Sequence, residues 1–116
     1  MLHKAGTLKT DITENMRGGK GPLHSTLIMQ KNEFCNKGRL FNHCVLKPGC
    51  SIGVHEHTGD FEVYYFLKGN ALYTDDDATY AVGPGDVTVC PNGHKHGVEN
   101  TSKEDLEFIA LILFAD

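Results

Sequence analysis

Apolar residues in this chain recur in short runs broken by turn-forming residues, and none of the runs keeps a helical period. The stretches STLIMQ, RLFNHCVL, SIGVHEH, FEVYYFL, ALYT, ATYAV, DVTVC, HGVEN and LEFIALILFA are rich in residues that suit a pleated, half-buried surface. Between them stand KPGC, LKGN, VGPGD and CPNG, where glycine and proline supply turn geometry. Many short strands at regular spacing predict an all-β sandwich or barrel. The first 25 residues carry a weaker pattern and end in RGGKGP, which reads as flexible. The expected organisation is therefore an N-terminal arm over residues 1–25 and one barrel domain over residues 26–116. A chain of 116 residues is long enough for one domain with a core.

The last run, LEFIALILFA, is apolar on both faces, whereas a strand on the outside of a small barrel has one dry face and one wet face. Either Phe108, Ala110, Ile112 and Phe114 or Ile109, Leu111 and Leu113 line the interior. The other set needs a cover, from an N-terminal strand such as STLIMQ or from a second subunit. The expectation is a homodimer that uses this strand or the N-terminal arm.

Charge and composition narrow the partners. The net charge is −4, and the eleven basic residues form no run, so nothing points to nucleic acid. The longest apolar run is too short to span a membrane as a helix, and the N-terminal residues lack the apolar core of a signal peptide. A cytoplasmic location is expected, with Cys35, Cys44, Cys50 and Cys90 reduced. Their spacings fit no zinc finger, and each reads as a small buried apolar residue. GGKGP lacks the first glycine and the Ser or Thr of a phosphate-cradling loop. TDDDAT lacks the ligand spacing of a calcium loop and reads as a solvated hairpin turn.

The chemistry concentrates in HEHTGDFE. Residues two apart on a strand point to the same face, so His55 and His57 project together. The residues TGD can turn the chain back, placing Glu62 on the adjacent antiparallel strand in a cross-strand position on the same face. Two imidazoles and a carboxylate suit Mn, Fe, Co, Ni or Zn, with room for a further ligand. The flanks sharpen this. Gly49, His55, His57, Glu62 and Gly69 occupy the spacing G-x5-H-x-H-x4-E-x6-G. Gly85, Pro91, Gly93, His96 and Asn100 occupy G-x5-P-x-G-x2-H-x3-N. These are the two motifs of the cupins, and the chain resembles a small single-domain cupin over residues 49–100.

The resemblance implies an antiparallel, jelly-roll-like β-barrel with a divalent transition metal inside, held by His55, His57, Glu62 and His96. His96 would come from a distant strand, brought to the other three by closure of the barrel. Four ligands on a metal that prefers six leave two adjacent positions, as in a catalytic rather than a sealed site. Candidate neighbours are Tyr64, sharing the Glu62 face with Phe66, and Asn42 with Cys44 if the even face of their strand looks inward, in which case His43 does not. His94 reads either as a proton shuttle or as a solvated loop histidine, and Phe108 and Ala110 could form the pocket floor. Small cupins commonly pair as dimers. The leading functional expectation is a metal-dependent enzyme acting on a small oxygen-rich metabolite; cupins catalyse oxidation, decarboxylation, dioxygenation and isomerisation on one framework. No dedicated acid or base is evident, since Glu56 alternates away from the ligands and no lid loop with an obvious carboxylate follows, which argues against a decarboxylase of the oxalate type. The alternative is a non-catalytic module that binds a small molecule or a metal.

Overall fold

The computed structural model describes residues 1–116, and ten strands in two antiparallel sheets make up the fold. One sheet has, in spatial order, β1 (Thr10–Glu14), β2 (Pro22–Leu27), β3 (Gly38–Leu46), β10 (Leu106–Phe114), β5 (Asp60–Lys68) and β8 (Val87–Cys90). The other has β4 (Ser51–Glu56), β9 (Lys95–Glu99), β6 (Ala71–Asp75) and β7 (Ala78–Val82). The expected all-β antiparallel barrel is what forms.

Alternation decides which side of each strand faces the other sheet. On β10, Leu106, Phe108, Ala110 and Ile112 are buried, while Ile109, Leu111 and Leu113 lie half-buried on the outside. On β3 the even face is inward, with Asn42, Cys44 and Leu46 buried. His43 is outside, bonded to Glu107 at 3.1 Å. Leu46, Phe66, Leu106 and Phe108 are fully enclosed, each worth roughly 1.5–3 kcal/mol by transfer. The rings of Phe66 and Phe108 pack on Tyr64 with centroids 6.0 and 4.7 Å away, and this cluster floors the polar part of the interior.

The N-terminal residues depart from the expectation. Residues 10–27 are not an arm outside the barrel: β1 and β2 extend the larger sheet beyond β3, and a boundary at residue 25 would cut β2 in the middle. Pro22 is tolerated because it opens the strand, where no ladder donor is needed. RGGKGP is also pinned rather than loose. Ser51 N–H donates to the Lys20 carbonyl at 2.8 Å, and Lys20 N–H donates to Ser51 Oγ at 2.9 Å. The chain crosses so close that a Cβ on Gly53 would collide with the Arg17 carbonyl oxygen. In addition, β2 lies edge to edge with β3, so it does not cover the outer face of β10.

The motif residues that are not metal candidates hold loops. Gly69 (φ +85°) turns β5 into β6 where a Cβ would press on the Asp105 carbonyl. Asn100, fully buried, donates to the Leu46 and Glu104 carbonyls at 2.8 and 2.7 Å and accepts from Ser102 N–H, which fixes the loop into β10.

Three of the four cysteines are buried as expected, but Cys35 is exposed, in a turn with φ +51°. Burial pushes the Cys44 thiol up to about 12 and the Cys90 thiol up to about 11, so both are poor nucleophiles. A thiol reagent on the native protein is expected to label one site quickly, at Cys35, and to reach four only after denaturation. Rapid native labelling of Cys44 or Cys90 would contradict the barrel packing.

Candidate metal centre

His55, His57, Glu62 and His96 offer ligand atoms that all lie within 4.8 Å of one another and could hold a metal ion. Their route to one point differs from the sequence expectation. Glu62 is not a ladder neighbour of the histidines. The TGD turn carries the chain from one sheet to the other, so β5 pairs with β10 and β8 while β4 pairs with β9. It is His96, forty-one residues further on by position number, that sits directly across from His55 in the ladder. Facing of the two sheets brings in the carboxylate.

A β-bulge aims the first histidine. Ile52 pairs with Val98 and His55 with His96, so β4 uses one residue more than β9 between the two pairs. The extra residue puts both Ile52 and His55 inward and leaves Val54 on the surface. The Gly53 carbonyl within the bulge accepts the His55 Nδ1–H at 2.7 Å, which leaves Nε2 as the free donor atom.

The other two imidazoles are oriented in the same way. His57 Nδ1–H donates to Asp60 Oδ1 at 2.7 Å, and the Asp60 carboxylate is itself bound by Arg39 Nε–H at 2.8 Å. His96 Nδ1–H donates to the Tyr73 hydroxyl oxygen at 2.8 Å, beside the buried hydroxyl of Thr88. With both Nδ1 atoms engaged, His57 Nε2 and His96 Nε2 face each other at 3.1 Å and face Glu62 Oε1 at 3.1 and 2.9 Å. Three electron-rich atoms about 3 Å apart repel unless a proton or a cation lies among them. Ligands at ~2.1 Å and right angles around one metal lie about 3 Å apart, so the donor set fits one face of an octahedral ion. Burial pushes the Glu62 carboxyl up, but the two histidine bonds outweigh it and hold it below the usual range. The Glu62 bond raises His57, and burial lowers His55.

The Asp60 support gives a direct test. Asp60→Asn keeps the shape but weakens the hold on His57, and metal affinity is expected to fall about 10–100-fold in a chelator competition. An unchanged affinity would mean that Asp60 serves Arg39 alone.

A cavity of about 230 Å³ opens onto the cluster and is lined by His55, His57 and Glu62 but also by Leu40, Ile52, Phe108 and Ile112. Tyr64 lies in its wall, its ring stacked on His96 at 4.9 Å and 25°. Burial raises the Tyr64 hydroxyl well above its ordinary value, so it stays neutral and serves as a donor rather than a base. Asn42, 7% exposed, faces the cavity and its amide makes no hydrogen bond to the protein. Phe108 and Ala110 line the cavity too. His94 does not: it stands in an exposed turn with Nδ1 2.6 Å from Asp76, the bond that raises its pKa. Residues that the sequence reading missed are Tyr73, Asp60 and Arg39 behind the ligands, and Asp11, Met16 and Arg17 at the rim. The spacing of Asp60, three after His57, was a usable signal; the rim residues had none.

A family model for the cupin domain matches residues 42–112. An oxalate-binding protein from Thermotoga maritima is 38% identical over 113 residues, which cover 97% of this chain and 93% of that protein. Among solved structures, a predicted oxalate decarboxylase from Thermotoga maritima superposes with a TM-score of 0.93 at 38% identity, covering 98% of this chain and 99% of that one. A cupin 2 conserved barrel domain protein from Salinispora arenicola shares the fold with a TM-score of 0.72 at 23% identity, over 99% of this chain and 89% of that one.

Proposed function

The chain belongs to the cupin family, and from that premise we propose that it uses a divalent transition metal, held by His55, His57, Glu62 and His96, to bind a small carboxylate of the oxalate class. The observation that carries this reading is the convergence of imidazole nitrogens and a carboxylate oxygen at the inner end of the cavity. Four protein ligands leave open positions on a six-coordinate metal, and a carboxylate-bearing molecule can fill them through two oxygens. When bound, the metal supplies positive charge that holds such an anion and polarises its oxygens. The residues of the chain do the rest. Asn42 offers an unpartnered amide to the ligand, Tyr64 offers a neutral hydroxyl beside Glu62, and the apolar wall excludes water. The relatives with the names quoted above point to the same class of anion.

Turnover is part of this reading: a metal-dependent enzyme acting on a small oxygen-rich metabolite. One observation favours the non-catalytic alternative. Apart from the ligands, the cavity contains no imidazole and only one further carboxylate, Asp11 at the rim, 3.8 Å from Lys9. The deciding experiment loads the purified protein with Mn(II), Fe(II) or Zn(II) and follows oxalate binding by calorimetry and its conversion by product analysis. Metal-dependent binding is expected. Absence of any metal-dependent carboxylate binding would overturn the reading, and binding without conversion would select the binding module over the enzyme.

A further inference from the structure

Resting on the carboxylate reading above, we propose that Arg17 receives a second acidic group of the ligand, and that the natural ligand is therefore a diacid longer than oxalate. Four observations lead there. First, Arg17 lines the cavity but has no partner. Of the two arginines that line the cavity, Arg39 is held by Asp60 at 2.8 Å, whereas the Arg17 guanidinium makes neither an ion pair nor a side-chain hydrogen bond. An unused planar fork of donors at a cavity rim matches a carboxylate.

Second, the backbone at Arg17 is in the left-handed region (φ 55°, ψ 34°), in a turn where Asn15 and Gly18 also have positive φ. Asparagine or glycine adopts this conformation more readily than arginine, so the local backbone gives no reason for an arginine there. Strain of this kind gathers where a side chain is held for a ligand.

Third, the turn is tied to the metal site through a single residue. The Arg17 carbonyl packs on Gly53, and the Gly53 carbonyl fixes the His55 ring at 2.7 Å. The bulge that aims His55 inward therefore also sets where the Arg17 backbone stands, which ties the turn that carries Arg17 to the site.

Fourth, the cavity is larger than oxalate needs. Its volume of about 230 Å³ would take roughly seven waters at ~30 Å³ each, well beyond two directly joined carboxylates. The walls include Met16, Leu40, Ile52 and Ile112, which suit a methylene spacer between two polar ends. Asp11 shares the rim, and Lys9 offsets its charge.

The test is calorimetry on the Mn(II)-loaded protein with oxalate, malonate, succinate, glutarate and adipate, and with the monoacids of matching length. One of the longer diacids is expected to bind at least about tenfold more tightly than its monoacid. Arg17→Asn removes the guanidinium while suiting the left-handed backbone, so the turn survives, which a melting curve and the metal content verify. That variant is expected to lose at least about tenfold for the diacid and less than about threefold for the monoacid, with partial recovery in Arg17→Lys. Equal affinity for diacid and monoacid in the parent, or equal losses for both in Arg17→Asn, would overturn the role of Arg17 while tight metal-dependent oxalate binding left the carboxylate reading standing. If no carboxylate binds the loaded protein, the carboxylate reading fails and this inference with it.

Discussion

Replacing His96 by alanine is expected to strip the site of metal while the barrel stays folded. His96 supplies one of the three donor atoms that lie about 3 Å apart, so its loss removes a corner of the coordination face. Changes behind a ligand typically cost 10–100-fold in affinity; removing the ligand itself is expected to cost more than about a thousandfold, or ~4 kcal/mol. The fold loses less. The void and the unpartnered Tyr73 hydroxyl together cost roughly 2–4 kcal/mol. Against this, the variant relieves the facing of His96 Nε2 and His57 Nε2 at 3.1 Å. A domain with about 5–15 kcal/mol of stability tolerates such a change. Glu62→Gln is expected to be milder, because its amide oxygen still ligates but brings no charge. Metal content by mass spectrometry after desalting, with a melting curve as control, reads both variants. If His96→Ala holds metal as tightly as the parent, the ligand assignment is wrong.

How far the site could be read from the sequence follows from which constraints are local. The two motif spacings were legible because loop lengths and turn glycines fix them, and the barrel was legible because apolar and polar residues alternate between turns. Strand pairing was not. The stretch His55 to Glu62 looks like a hairpin, yet the same turn serves equally to switch sheets, and only the packing of β5 between β10 and β8 decides. The bulge at Gly53–Val54 was hidden as well. Ile52 and His55 have opposite parity, so simple alternation sends them to opposite faces, and an extra residue reconciles them. The rim was out of reach for a different reason. Arg17 lies in a turn without period, and its approach to Gly53 joins parts of the chain that share no local pattern. The expectation of a loose N-terminal arm failed there, because glycine-rich sequence marks both flexible linkers and segments where two backbones must touch.

The largest effect outside the metal site is expected at the outer face of the six-stranded sheet. Register places Phe41, Leu111, Val63 and Val89 side by side in one row across four strands, and His43, Ile109, Tyr65 and Val87 in the next. Tyr65, Val87 and Val89 are each about half exposed, at 46%, 58% and 51%. Three strands of nine residues and the four-residue β8, ~4.8 Å apart at ~3.3 Å per residue, make a face of roughly 500 Å², somewhat below the ~800 Å² of one side of a standard interface. Charged residues stay at its margin, where His43 and Lys68 meet Glu107 at 3.1 and 3.9 Å, giving an apolar centre with a polar rim. The N-terminal strand β2 does not cover this face, since it continues the sheet beside β3. Ile109, Leu111 and Leu113 are already half-buried, so the gain comes from Tyr65, Val87 and Val89, whose remaining exposure is worth roughly 2–4 kcal/mol per chain. A second copy placing the same face against it satisfies both chains at once. Light scattering at micromolar concentration is therefore expected to report about twice the 12.8 kDa of one chain. Leu111→Asp sets a charge at the centre of the patch and is expected to shift the protein to monomer with its metal retained, because Leu111 points away from the interior. A parent mass near 12.8 kDa, or a Leu111→Asp protein that stays dimeric, would rule out this face as the interface.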